Sequence, residues 1–329
     1  MKRILISAVA LLVAGAAQAT NNDYYWIGGG ADADWNTAAN WLGGSTPAND
    51  DYAYIDGHAV SVGAQTAYIS ATYITNGSVT VNSGGHLRAA GGGNFHSTQI
   101  GIGSGNAGSY NVTGGTGEVR WSEVGKDVGS TGIMTVSGGT LKATGSPTPG
   151  GFSLFLGANV AGTDAGTGSL VISGDGTLEI TDGVRLGSSE GSGTGNFGVL
   201  GSSGTMSIGS WEQNGGSTLD LGVDAGGLSV INISTGPATF ESGAFLDVDY
   251  FNGGAGVGTW TVMEVAAGDI VDNGLAFAAG VDTDIWSFAV DNSGANGVLT
   301  VTAIPEPGTL GLIAAFGGGI LLIRRRFTN

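Results

Sequence analysis

The chain has 329 residues, of which 65 are glycine and none is cysteine, and its formal net charge at neutral pH is −17. The lack of cysteine excludes disulfides, thiolate metal sites and a cysteine nucleophile, while the acidic excess disfavours binding to nucleic acid. The glycines lack the triplet period of collagen, and hydrophobic residues make up 41% of the chain, which is enough to form a core.

The N-terminus has the pattern of a secretory signal peptide over residues 1–19. Lys2 and Arg3 precede an apolar stretch at residues 4–15. Ala17 and Ala19 form a small-x-small cleavage site, which makes Thr20 the first residue of the mature chain. The alternative is a buried N-terminal helix, but charge, length and cleavage site all favour the signal peptide.

An aromatic-rich segment follows at residues 20–58. Trp26, Trp35 and Trp41 lie close together in it. The stretch at residues 32–41 resembles the entry segment of exported solenoid proteins. We predict that this segment is an N-terminal cap over the open edge of the first coil.

A degenerate repeat occupies residues 59–235. One unit, a glycine followed by alternating apolar residues, starts at Gly77, Gly108, Gly132, Gly168 and, more faintly, Gly204. A second unit, an apolar residue followed by glycine, occurs at Ile102–Gly103, Val124–Gly125, Leu156–Gly157, Leu186–Gly187, Leu200–Gly201 and Leu221–Gly222.

Alternation with period two predicts short strands with one buried face, and glycine allows positive φ at tight corners. Such strands stack coil upon coil, so we predict an all-β parallel β-helix, or solenoid. The competing fold is a β-sandwich with glycine-rich hairpins. The repeats resemble those of autotransporter-type passenger β-helices, a resemblance that implies the same solenoid fold.

The glycine units fade over residues 236–303. Residues 259–265, 286–290 and 297–302 have the composition of strands. We predict that they pair antiparallel as a C-terminal cap, because a soluble solenoid needs both of its ends covered.

The last segment, residues 304–329, has three elements in order. Pro305, Glu306 and Pro307 precede an apolar run at residues 308–323, which Arg324, Arg325 and Arg326 follow directly. The run predicts a short transmembrane helix, with the arginines on the cytoplasmic side. A plain C-terminal anchor is the alternative.

This tail resembles the PEP-CTERM sorting signal. The resemblance implies handling by the secretion machinery and an exosortase in a Gram-negative bacterium. It also implies transient anchoring in the membrane, followed by transfer to the cell surface or to the exopolysaccharide matrix of a biofilm.

Residues suited to catalysis are few. The histidines, His58, His86 and His96, have no metal-ligand spacing. Carboxylates could form a glycosidase pair or a Ca²⁺ site, but solvated acids in turns are the favoured interpretation for Asp50, Asp51, Asp56, Asp164, Asp175, Glu179 and Asp182. We predict no catalytic residue, no metal site and no cofactor.

Trp121 and Trp211 lie in the repeat region, where they could contact glycans or pack in the core. The favoured function is a structural or interaction protein of the cell surface or matrix; the alternatives are a glycan-binding adhesin and a polysaccharide-degrading β-helix enzyme. An aromatic row on one face would favour the adhesin. Several converging acids beside a basic residue would favour the enzyme. A smooth Ser/Thr/Gly surface would favour the structural role.

Overall fold

The computed structural model describes residues 22–89, 97–147, 151–161, 163, 165–253, 256–266 and 268–304. Within these ranges the chain is all-β, and its helical structure consists of one 3-10 turn, Ala38–Asn40. No helix in this described part has the length and apolar character needed to cross a membrane.

The predicted signal peptide and residues 305–329 of the predicted sorting tail lie outside the described residues, together with their predicted helices. This applies to Ala17, Ala19, Thr20, Pro305, Glu306, Pro307, Arg324, Arg325 and Arg326.

The strands are numbered in chain order. They are β1 Asp23–Tyr25, β2 Tyr52–Ile55, β3 Ala59–Val62, β4 Thr66–Ile69, β5 Ala71–Ile74, β6 Ser78–Val81, β7 His86–Ala89, β8 Ser97–Ile100, β9 Ala107–Val112, β10 Thr116–Val119, β11 Trp121–Val124, β12 Thr131–Val136, β13 Thr140–Ala143, β14 Leu154–Leu156, β15 Thr167–Ser173, β16 Thr177–Leu186, β17 Thr194–Leu200, β18 Thr205–Gln213, β19 Thr218–Val223, β20 Ile231–Ile233, β21 Ala238–Phe240, β22 Phe245–Tyr250, β23 Gly258–Val265, β24 Ile270–Asp272, β25 Ala276–Phe277, β26 Trp286–Asp291 and β27 Gly297–Ala303.

These strands form three columns, which we call faces, and each coil of the chain visits them in turn. The first face contains β2, β5, β8, β11, β14, the C-terminal halves of β16 and β18, β21 and β24. The second face contains β3, β6, β9, β12, β15, β17, β19, β22 and β25. The third face contains β4, β7, β10, β13, the N-terminal halves of β16 and β18, β20 and β23.

Neighbouring strands within a face are parallel and in register, in the manner of a β-solenoid. The predicted all-β class and parallel sheets are therefore confirmed. The sandwich alternative is wrong, because it requires antiparallel strands. One coil takes between 19 residues, from Ala59 to Ser78, and 37, from Thr140 to Thr177. The columns run from β2 to β25, beyond the predicted repeat region at residues 59–235.

The pairing of strands shows which glycines of the first repeat unit occupy equivalent positions. Gly108, Gly132 and Gly168 are aligned on the second face, as the repeat predicts. The next member of this column is Gly195 and not Gly204. Gly204 was misplaced because the strand that follows it, β18, begins on the third face, where Thr205 pairs with Thr177.

The second repeat unit also needs correction. Val124–Gly125, Leu156–Gly157 and Leu186–Gly187 are aligned at the corner between the first and second faces. The preceding member is Ile100–Gly101, because Val124 pairs with Ile100, and not the predicted Ile102–Gly103. Leu200–Gly201 and Leu221–Gly222 lie on the second face instead, where Leu200 pairs with Gly222.

Two stacked columns of glycine make this corner possible. Gly101, Gly125, Gly157 and Gly187 all have φ between 58° and 72°, which L-residues with a side chain rarely adopt. A Cβ at Gly157 would also collide with the carbonyl of Thr194, and one at Gly168 with the backbone of Gly157 and Val124. Consecutive coils therefore touch backbone to backbone here.

Inward-facing side chains of the three faces form one continuous apolar core. Large residues are matched by small ones across it. The buried ring of Tyr110 on β9 reaches Gly117 on β10, where a Cβ would lie 2.6 Å from the Tyr110 hydroxyl. That hydroxyl has no hydrogen-bond partner among the described residues, and burial raises the pKa of Tyr110.

Tyr110→Phe is expected to stabilise the protein by about 1 kcal/mol, since a buried unsatisfied hydroxyl costs about 1–3 kcal/mol. Urea unfolding of the purified protein measures the change. Tyr250→Phe is the control: the Tyr250 hydroxyl donates a hydrogen bond to the Gly256 carbonyl at 3.1 Å, so its removal should give no gain. Equal stabilisation by the two variants would contradict the assignment.

Different structures close the two ends. At the N-terminal end β1 pairs with β2. The backbone N–H of Trp35 donates a hydrogen bond to the Ser61 carbonyl of β3 at 2.8 Å. At the other end β27 pairs antiparallel with both β23 and β26. The three strands predicted near the C-terminus are therefore present and paired antiparallel.

Candidate functional site

A row of stacked tyrosines stands on the outer surface of the first face. Tyr25 on β1, Tyr54 on β2 and Tyr73 on β5 occupy one register position in three successive strands. The ring centroids of Tyr25 and Tyr54 are 4.9 Å apart with planes 16° from parallel, and those of Tyr54 and Tyr73 are 4.8 Å apart at 15°. This separation equals the spacing of strands in a sheet, so the backbone itself sets the stack.

Strand alternation explains why these rings point outward. In β2 the neighbours of Tyr54, namely Ala53 and Ile55, are fully buried, so Tyr54 must lie on the opposite side of the sheet. The same alternation in β5 places Ile74 inside and Tyr73 outside. The row is therefore part of the surface and not of the core.

Polar groups line the stack. Tyr54 hydrogen-bonds to the carboxylate of Asp23, and burial, together with this charge, raises the pKa of Tyr54. Burial is also the main cause that raises the pKa of Tyr73, followed by the neighbouring Tyr52. The Tyr54 and Tyr73 phenols therefore remain protonated at neutral pH and keep their capacity to donate hydrogen bonds.

The N-terminal segment extends this row with apolar side chains. Trp26 and Trp41 pair as an antiparallel bridge and are buried, with ring centroids 5.0 Å apart. Their neighbours consequently face outward: Tyr25 is 46% exposed, Ile27 47% and Leu42 60%. We call Tyr25, Tyr54, Tyr73, Ile27 and Leu42 together the tyrosine strip.

The strip ends at the third coil, where the outer row becomes polar. Gln99 follows Tyr73 in register and donates a hydrogen bond to Glu123 at 2.7 Å. Glu123 is only 3% exposed and also accepts a hydrogen bond from the Val160 N–H at 3.0 Å. Burial raises the pKa of Glu123, while Lys126, 3.6 Å away, acts in the opposite direction.

A polar cleft of about 540 Å³ lies further along the molecule, between Arg185, Glu212, Asn214 and Glu241. Arg185 pairs with Glu212 at 2.8 Å and covers the ring of Phe152 at 4.3 Å from its centroid. Glu212 also accepts a hydrogen bond from Asn214 at 3.1 Å. Glu212 is held in this network by Arg185 and Asn214. It therefore has the arrangement of a structural ion pair and not that of a glycosidase acid facing a sugar.

The acids singled out in the sequence do not converge. Asp175 lines a trough formed by glycines, Glu179 pairs with Lys142 at 2.7 Å, and Asp182 accepts a hydrogen bond from Ser153 at 3.1 Å. Asp164 and His96 lie outside the described residues. In the ranges that are described, no three His, Asp or Glu side chains are arranged to hold a metal ion.

The acids that do meet were not singled out. Asp220 on β19 and Asp247 on β22 are in register on the second face. Burial is the first cause that raises the pKa of Asp220, followed by the charges of Asp247 and Asp249. Both effects favour the protonated form of the Asp220 carboxyl.

The trough runs along the corner between the second and third faces, and its volume is about 480 Å³. Its floor contains the glycine pairs of successive coils, including Gly85, Gly115 and Gly139. Thr116, Thr140 and Thr177 form a column of aligned hydroxyl side chains beside it. His86 and Asp175 complete a lining that otherwise consists of glycine and threonine.

The two tryptophans suggested as glycan contacts are buried. Trp211 is 1% exposed and packs edge-on against Phe197 at 5.1 Å, and Trp121 is 9% exposed. Neither offers a ring face to solvent, so their proposed contact role is corrected and the packing role holds. The exposed aromatic row is made of tyrosines instead.

Comparison with known proteins returns no matching family model, no matching curated protein and no matching solved structure.

Proposed function

We propose that this chain is an exported, non-enzymatic structural or interaction protein of the cell surface or exopolysaccharide matrix of a Gram-negative bacterium. It is delivered by the signal peptide at residues 1–19 and the PEP-CTERM-like tail at residues 304–329. An exosortase then releases it from transient anchoring by the tail helix. The stacked coils run from β2 to β25, with β1 at one end and the antiparallel strands β23, β26 and β27 at the other.

The observation that carries the proposal is the combination of the three-element tail with a stacked-coil body. Coils stacked in register give a long surface in which the same small polar groups recur. Thr116, Thr140 and Thr177 are one such row. Many weak, repeated contacts with a polymer suit a matrix component. Neither catalysis nor a cofactor is part of the proposal.

Alanine at Pro305, Glu306 and Pro307 is expected to leave the precursor unprocessed and in the membrane fraction of the host. Immunoblotting of membrane, surface and medium fractions, with intact mass of the released protein, measures this. The control Thr283→Ala/Asp284→Ala changes an exposed loop and should be processed normally. Unchanged mass and release in the Pro-Glu-Pro variant would contradict the sorting role.

A glycan-binding adhesin is the second candidate function. The tyrosine strip favours it, since an exposed aromatic row is a surface on which sugars pack. This role is compatible with the first, because a matrix protein must hold to its matrix.

A further inference from the structure

The tyrosine strip is an exposed apolar feature on a strongly acidic protein. None of its five members carries a charge, and three of them are between 46% and 60% exposed. Exposed apolar surface of this kind marks binding sites more often than chance.

The charges around the strip limit what can bind there. Asp23 lies beside Tyr54, and the whole chain has a net charge of −17. Cations elsewhere are already engaged: Arg88 with Glu118 at 2.9 Å, Lys126 with Glu123, Lys142 with Glu179, and Arg185 with Glu212. A polymer that carries uronate or sulfate groups would be repelled.

The size of the strip argues against a protein partner. Stable protein interfaces use about 20–30 residues on each side, whereas the strip has five. A second copy of the chain would also have a net charge of −17, which opposes association. A long, uncharged polymer does not meet either obstacle, since it can make a small contact at many sites.

The chemistry of the strip matches an uncharged sugar chain. Both faces of the Tyr54 ring are covered by Tyr25 and Tyr73, so the strip offers phenol edges and the aliphatic groups of Ile27 and Leu42 to the C–H faces of pyranose rings. The phenol hydroxyls and the Asp23 carboxylate can exchange hydrogen bonds with sugar hydroxyls. The hydroxyl-bearing rings repeat at 4.8–4.9 Å along the stack, so the strip offers the same contact at successive coils.

We propose that the tyrosine strip binds neutral polysaccharide and discriminates against anionic polysaccharide. This inference rests on the proposed matrix function and names the class of glycan that the protein would hold. The binding is weak at one site and gains strength from repeated contact along the polymer.

Affinity electrophoresis of the purified protein tests the proposal. The gels contain dextran, hydroxyethyl cellulose or glucomannan as neutral probes, and alginate as the anionic probe. We expect retardation by at least one neutral probe, little change on adding salt, and none by alginate. Tyr54→Ala/Tyr73→Ala should weaken binding at least tenfold, which corresponds to about 1.4 kcal/mol.

Tyr68→Ala is the matched control, because Tyr68 is a 43% exposed tyrosine of the same first coil but lies on the third face. It should bind as the wild type does. Leu42→Ser changes a side chain that is 60% exposed and should weaken binding several-fold without affecting folding. This variant therefore tests glycan binding by the strip if Tyr54→Ala/Tyr73→Ala does not fold.

Failure of all three neutral probes would overturn the proposal. Equal retardation by alginate, or equal loss in Tyr68→Ala, would overturn it as well. These outcomes concern the purified protein only. They leave the sorting experiment on Pro305, Glu306 and Pro307 unaffected, so the two proposals can fail separately.

Discussion

Gly157→Ala is expected to destabilise the protein by about 2–5 kcal/mol. Gly157 has φ 58°, a conformation that costs a residue with a side chain about 1–2 kcal/mol. Its new Cβ would also press on the Thr194 carbonyl of the next coil. That carbonyl belongs to the backbone and cannot rotate away as a side chain would, so the coils must separate, at about 1–3 kcal/mol. Urea unfolding followed by circular dichroism measures the loss.

Two glycines elsewhere provide matched controls. Gly43 has φ 94° but nothing within 4 Å of an added Cβ, so Gly43→Ala should show the conformational cost alone. Gly63 has neither a positive φ nor a neighbour within 4 Å, and Gly63→Ala should be neutral or slightly stabilising. If the three variants lose stability equally, coil contact at Gly157 is not the cause.

Sequence patterns predicted the strands of the central coils well, because apolar alternation and glycines at the corners occur there together. Alternation is visible in Met134 and Val136 or Leu170 and Ile172, which are buried as predicted. The patterns do not show the register, that is, which residues of successive coils pair with each other. Loops of different length separate the units, so a coil can take 24 residues or 36, and spacing alone could not distinguish Gly195 from Gly204.

The predicted repeat begins at residue 59 and leaves out β2, because the first coil lacks the glycine units. The first coils have a different signature, a tyrosine followed by isoleucine, at Tyr54, Tyr68 and Tyr73. Tyr54 and Tyr73 become neighbours only when a coil of 19 residues is assumed. The stacked row was therefore present in the sequence, but its detection required the register. By contrast, the burial of Trp211 depends on packing against Phe197, which no local pattern shows.

Buried hydroxyls are a further feature that patterns could not provide. Thr72, Thr98 and Ser122 are aligned inside the first face and fully buried. Polar residues at these positions interrupt the apolar alternation and weaken the strand prediction. Ser122 compensates by donating to the Thr98 carbonyl of the preceding coil at 2.9 Å, a contact that exists only once the coils are stacked.

Trp41→Ala is expected to release the N-terminal end of the stack. Trp41 is 1% exposed, and its ring meets Tyr24, Trp26 and Trp35 edge-on at 4.8–6.4 Å. Its indole N–H also donates to the Trp35 carbonyl at 2.8 Å. Removal of a buried tryptophan costs about 3–5 kcal/mol, and here the cost falls on the segment that closes the first coil.

Hydrogen exchange can locate that loss, because stability in a stacked-coil protein is carried by contacts between neighbouring coils. In Trp41→Ala, amides of β1, β2 and β3 should lose protection, while those of β17 and β19 keep theirs. Leu42→Ala is the control, since this adjacent side chain is 60% exposed and its removal should change stability by no more than about 0.5 kcal/mol. Uniform loss of protection along the whole chain would mean that the coils unfold as one unit, and the tryptophan cluster would then not be a separate closure of the first coil.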